Sequence, residues 1–227
     1  MAIAFDAVTR GEGSSVSSIS FSHTTTGSDT VAIGLVAYRK NVNTFVDAVE
    51  YNSVAFTAVP SGGTNNGGVF YIAAYYLVAP TTGANTFEVT FGGNAPTDAG
   101  VAILTFTGVD QSVPLGTANV ADGDSTTPSV VVSSATDDLV VDGLCIEHAG
   151  TLSVGGGQTS RFNEIAAAGF IKHSASTEPG ATSVTMSWSD TIGGNWALVG
   201  VPLKPLAAAG GSSIPVLTAQ YRMRRAA

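Results

Sequence analysis

Residues 16–26 read VSSISFSHTTT. Ser17, Ile19, Phe21 and His23 fall on one side of an extended chain, and Ser18, Ser20, Ser22 and Thr24 on the other. Successive side chains of a strand point to opposite faces, so this two-residue period specifies a strand with one face buried and one in water. The same grammar recurs outward in both directions. Strands are predicted at residues 3–8, 31–38, 69–79, 86–91 and 100–107, and again at 129–133, 139–146, 159–164, 169–174, 183–188 and 196–203. Residues 48–51 and 54–59 read as a hairpin around Asn52-Ser53, ended by Pro60. Clusters of Gly, Asn, Asp, Ser and Pro separate the runs. Residues 164–169 (EIAAAG) make the only plausible helical turn.

A dozen or more short strands without amphipathic helices predict an all-β fold: an antiparallel β-sandwich, jelly-roll-like, over residues 1–206. Two immunoglobulin-sized halves meeting near residues 108–116 are the alternative. A single sandwich is favoured because that stretch carries Val109, Val113 and Leu115, apolar residues a free linker would avoid. Residues 207–227 form a distinct C-terminal tail. Residues 207–213 have a linker's composition. Beyond them come the apolar Ile214, Val216, Leu217, Tyr221 and Met223, together with Arg222, Arg224 and Arg225.

Charge follows the same division. The chain has 17 carboxylates and 9 lysines and arginines. All the carboxylates and six of the cations lie in residues 1–206, giving −11 there, while the tail carries +3. An acidic body is a poor match for phosphate backbones, so nucleic acid is not an expected partner. Charged residues are only 11% of the chain, and serines and threonines, 49 in all, are expected to supply much of the polar surface instead. The opening residues MAIAFDAVTRGEG lack a basic region and a long apolar core, so no secretory signal is expected. No run of 18 apolar residues occurs, so no membrane partner is expected either.

Side chains capable of chemistry are few and scattered. His23, His148 and His173 sit in separate segments without metal-ligand spacing, and no GxSxG elbow accompanies them. Cys145 stands alone in an apolar run, which rules out an internal disulfide and marks a buried small residue. Residues 155–158 (GGGQ) lack the lysine of a phosphate loop, and Asp122-Gly123-Asp124 lacks the further ligands of a calcium loop. Asp137-Asp138 shapes a turn, and Glu147-His148 ends a strand. No catalytic residue, metal or cofactor is therefore expected. In residues 69–79 (VFYIAAYYLVA) Tyr71 and Tyr75 share one face, and Phe70 and Tyr76 the other. Tyr71 and Tyr75 are candidates for a subunit contact or a glycan platform. Trp188 and Trp196 flank a turn that they are expected to pin to the core.

Four stretches, VEYNSVAF (49–56), TFTGVDQSVPL (105–115), DLVVD (138–142) and NWALVGVPLKP (195–205), together resemble a β-sandwich module of phage virion proteins. The module occurs in tail-fibre and capsid-associated components and in some bacterial surface proteins. The resemblance spans most of residues 1–205 and brings no catalytic residue with it. It implies a non-enzymatic structural role in the virion, as a capsid decoration or fibre-like protein. Its implied partners are other virion proteins of capsid or tail and copies of itself, commonly as trimers. A host glycan is the alternative partner. The tail after Pro205 lies outside the module and is expected to be the attachment device. Ile214, Val216, Leu217, Tyr221 and Met223 would fill a neighbour's groove, and Arg222, Arg224 and Arg225 would pair with its carboxylates.

Overall fold

The computed structural model describes residues 2–147 and 150–207. His148 and the tail residues Ile214, Val216, Leu217, Tyr221, Arg222, Met223, Arg224 and Arg225 lie outside the described residues.

The fold is all-β and antiparallel. The first nine strands are β1 (Ala4–Gly13), β2 (Ser18–Thr25), β3 (Val31–Arg39), β4 (Phe45–Tyr51), β5 (Val54–Ala55), β6 (Thr57–Asn66), β7 (Phe70–Val78), β8 (Gly83–Gly92) and β9 (Asp98–Thr107). Eight more follow: β10 (Asn119–Ser125), β11 (Ser129–Val132), β12 (Leu139–Glu147), β13 (Leu152–Val154), β14 (Thr159–Ile165), β15 (Ile171–Pro179), β16 (Val184–Asp190) and β17 (Gly194–Leu203). They form four sheets, ordered β1-β9-β3-β7-β6, β2-β8-β4-β5, β10-β17-β12-β15-β14 and β11-β16-β13.

These orders repeat. With the two-residue β5 treated as an extension of the β4 hairpin, each half has eight strands. Each half arranges them 1-8-3-6-5 in one sheet and 2-7-4 in the other. Strands 1, 8, 3 and 6 beside 2, 7 and 4 follow the jelly-roll order, with strand 5 beside 6 instead of beside 4. The single sandwich expected from the sequence is thereby corrected: the described chain holds two jelly-roll-like sandwiches in series, joined through residues 108–118. Sequence periodicity alone does not expose this, because the two halves share no sequence repeat.

Burial explains how the halves join. An outer core lies between the two sheets of the first half (Val36, Val49, Tyr51, Phe87, Val89, Ile103). Another lies between the two sheets of the second half (Val132, Leu144, Ile146, Met186, Trp188, Leu198). The largest core lies between the two five-stranded sheets and takes Ile33, Leu35, Ile72 and Leu104 from one half with Cys145, Ile171, Val199 and Leu203 from the other. The layers therefore stack outer, inner, inner, outer. The inner strands are apolar on both faces, which is why β3 and β9 are buried almost throughout. The approach is close: a Cβ on Gly143 would come within 2.8 Å of the Leu35 side chain.

Residues 108–118 join the halves and are bound along their length. Val109 is fully buried and bridges to Pro205, and Leu115 bridges to Leu203, while Val113 is exposed. Local chemistry accounts for the departures from the sequence expectations. Asn52 and Ser53 both adopt positive φ (50° and 61°), giving the hairpin turn its matching twist. Pro60 does not end its strand. β6 continues through it, with a register shift between Ala58 and Gly63 that removes the need for a ladder donor there. Residues 164–169 are not helical: Glu164 and Ile165 end β14 and a turn follows. β10 and β13 were not predicted, since VADGD and LSV lack the strand composition of their neighbours.

Candidate functional site

Three places combine charge, burial and shape. The first is Asp142, the fourth residue of β12, which is completely buried on the face turned to the second half's outer core. Its carboxylate accepts hydrogen bonds from the Trp188 indole N–H at 2.7 Å, from the Ser176 backbone N–H, and from the Gln158 amide at 3.5 Å. Gln158 also donates to Ser176 Oγ (2.6 Å), and its Oε1 accepts from the Ser187 N–H (2.7 Å). The GGGQ loop thus ends in a side chain that ties β12, β15 and β16 together. Burial pushes the Asp142 carboxyl up to about 7, against the opposing pull of the Trp188 and Ser176 hydrogen bonds. Glu178 on β15 adds a weaker push of like charge, and its own carboxyl is raised by burial. Glu178 Oε2 is buried and has no hydrogen-bond partner among the described residues. The arrangement can hold a proton near neutral pH.

The second place is one end of the seam between the inner sheets. His173 of β15 is buried beneath Gly100 of β9, and its Nε2 lies 3.1 Å from Glu12 Oε1. Hydrogen bonding from His173 holds the Glu12 carboxyl below its usual range despite partial burial. Arg10 pairs with Glu164 at 2.6 Å across the same seam. Asp98, fully buried at the start of β9, accepts the backbone N–H groups of Ala168 (2.9 Å), Phe170 (2.8 Å) and Ile171 (3.2 Å). It shapes the turn between β14 and β15 from the other half. The Arg39 guanidinium stacks 4.9 Å over the Phe170 ring, and Arg161 stacks 4.1 Å over Phe5.

The third is a groove of about 590 Å3 at the opposite end of the seam, lined by Ala2, Ile3, residues 136–139, Pro179 and residues 205–207. Ile3 and Leu139 form its floor and pack on the central core. Asp137 and Asp138 stand on its rim.

Several sequence-derived candidates take structural positions. His23 is buried between the sheets of the first half, 2.9 Å from Thr9 Oγ1 and 3.2 Å from Thr105 Oγ1. Burial lowers its pKa below the ordinary imidazole value, against the opposing pull of the Asp6 carboxylate, and so favours the neutral ring. Cys145 is fully buried in the central core, which pushes its thiol up. Glu147 accepts from the Asn195 amide at 2.9 Å, and Asp138 accepts from the Ala135 N–H at 2.8 Å. Asp122 and Asp124 lie on β10, and no cluster of metal-binding side chains occurs among the described residues. Tyr71 and Tyr75 do share a face and pack against the first half's outer core, with Phe70 and Tyr76 on the central core. The Tyr71 ring stacks on Tyr38 at 4.9 Å, and the Lys40 ammonium sits 5.2 Å from its centroid. Trp188 and Trp196 are both buried, but they belong to different sheets, so the turn between them crosses the sandwich instead of closing a hairpin.

Sequence reading missed Asp98 and Asp142. Each lies at or within a strand, where a carboxylate is costly unless partnered. That misfit was their only signal. Compared with models of known protein families and with characterised proteins, the chain matches none.

Proposed function

We propose that this chain is a non-enzymatic structural protein of a phage virion, a capsid decoration or fibre-like component attached through residues 207–227. The observation that supports this reading best is how the described side chains capable of chemistry are used. His23, Asp98, Asp142 and His173 are all buried, and each bonds strands or loops of the sandwich to one another. A surface rich in hydroxyl groups and poor in charge fits a protein that works by persisting in an assembly. The tail separates in composition and charge from a body whose last strand ends at Leu203, and it supplies apolar anchors and arginines for a partner.

The test is deletion of residues 207–227. The truncated protein should keep its cooperative unfolding transition, because every strand among the described residues lies upstream, and should fail to join particles. Incorporation at the full-length level would refute attachment through the tail. Arg222→Glu with Arg224→Glu should weaken attachment on its own.

A further inference from the structure

The groove beneath Asp137 and Asp138 has the chemistry of a receptor for a short apolar and basic segment. Its floor is the open end of the central core, at Ile3 and Leu139, with Pro179 and Pro205 on its walls. Its rim carries two carboxylates and, among the described lining residues, no cation. Neither Asp137 nor Asp138 makes an ion pair among the described residues. The chain itself leads out of this groove, since Pro205, Leu206 and Ala207 form part of the lining.

We propose that residues 214–225 of the same chain dock in this groove when the protein is free of its assembly. Ile214, Val216 and Leu217 would cover the Ile3–Leu139 floor, and Arg222, Arg224 and Arg225 would face Asp137 and Asp138. Charge complementarity is the first argument: the segment is +3 with no carboxylate, and the body is −11. Tether length is the second. Seven residues of the composition of 207–213 span about 15 Å, so residue 214 stays within reach of the groove that Pro205, Leu206 and Ala207 line. A tether this short holds the segment at an effective concentration of about millimolar, so its own groove outcompetes that of a second copy at ordinary protein concentrations. Docking would withhold the tail from partners until a tighter site displaces it. This goes beyond attachment itself and does not depend on what the partner is.

The experiment uses the full chain with Thr136→Cys and Ala219→Cys and a short bis-maleimide. Cys145 is buried and leaves the introduced pair as the reactive thiols. A control chain carries Val113→Cys with Ala219→Cys: Val113 is exposed, lies beside Pro114 and Lys204 close to where the chain leads out, and does not line the groove, so the tether reaches both positions alike. The expected result is a link within one chain, formed roughly tenfold more in the groove pair than in the control. High salt or Asp137→Asn with Asp138→Asn should reduce it. Equal yields in the two pairs, links only between chains, or indifference to salt and to the aspartates would each overturn the proposal. Particle incorporation is a separate readout, so tail attachment can stand or fall independently.

Discussion

The two halves place their strands in one order but fill their outer cores differently. In the first, Gly34 is the fourth residue of the central strand β3, and the space above it is taken by Phe56 and Val49. Phe87 packs edge-on to Phe56 at 5.7 Å and lies 5.4 Å from Phe21. In the second half the fourth residue of the equivalent strand β12 is Asp142, and the space holds an indole N–H, a glutamine and a serine. The β12–β15 pairing is interrupted at that point, running from Val141↔Thr177 to Leu144↔Ser174, and the Asp142 side chain takes the Ser176 N–H instead. Strand order is thus compatible with either an aromatic or a hydrogen-bonded filling, provided every buried donor and acceptor finds a partner. A polar centre fixes which strands meet, but it makes stability depend on pH.

Exchanging the fillings breaks the comparison most severely. Gly34→Asp would put a carboxylate against Phe56 and Val49 with no donor in place, at a cost on the order of 5 kcal/mol. Chemical denaturation should show loss of most or all stability. A change under about 1 kcal/mol would mean the first half can recruit donors as the second does.

The next effect sharpens the contrast through pH. The folded carboxyl of Asp142 lies at about 7, above its ordinary value of 3.8, so the folded state holds a proton that the unfolded chain releases. Its stabilisation is complete below pH 4 and declines as pH rises toward 7, by on the order of 4 kcal/mol. Glu178 acts in the same direction. Glu12, held low by His173, acts oppositely and loses its contribution as pH falls below 4.5. Unfolding midpoints measured from pH 3 to 8 should therefore peak in the mildly acidic range. Asp142→Asn should flatten the decline toward neutral pH and leave the acid limb in place. A decline that persists in that variant would assign it to other groups.

The smallest effect concerns the seam that makes one body of two halves. A Cβ at Gly100 would lie 2.3 Å from the His173 ring, so Gly100→Ala must push β9 and β15 apart. About 2 kcal/mol should be lost. If the seam is what couples the jelly rolls, unfolding of this variant should also lose its single transition, which calorimetry would detect.

The all-β class was legible because strand periodicity is local: the alternation from Ser17 to His23 states which residues face inward without reference to any partner. The turn at Asn52-Ser53 was legible for the same reason, since left-handed conformations select residues at the turn itself, but the second arm expected over 54–59 ends at Ala55, and Thr57–Val59 cross to the other sheet as the start of β6. Pro60 was misread because a register shift is a property of two strands together. Tyr71 and Tyr75 were correctly placed on one face, but the stacking of Tyr38 on Tyr71 belongs to the neighbouring strand.

By itself, then, the sequence determined the all-β class and most of the strands with their inward faces, though not β10 and β13, together with the buried cysteine and the separation of an acidic body from a basic tail, all features written in nearest-neighbour chemistry. Only the tertiary structure decided that the strands fall into two jelly rolls of identical order, that their inner sheets share one core, and that Asp98 and Asp142 are structural centres. Strand order and burial are set by contacts between residues far apart in the chain. A carboxylate shows what it holds only when the donors folded around it are in place.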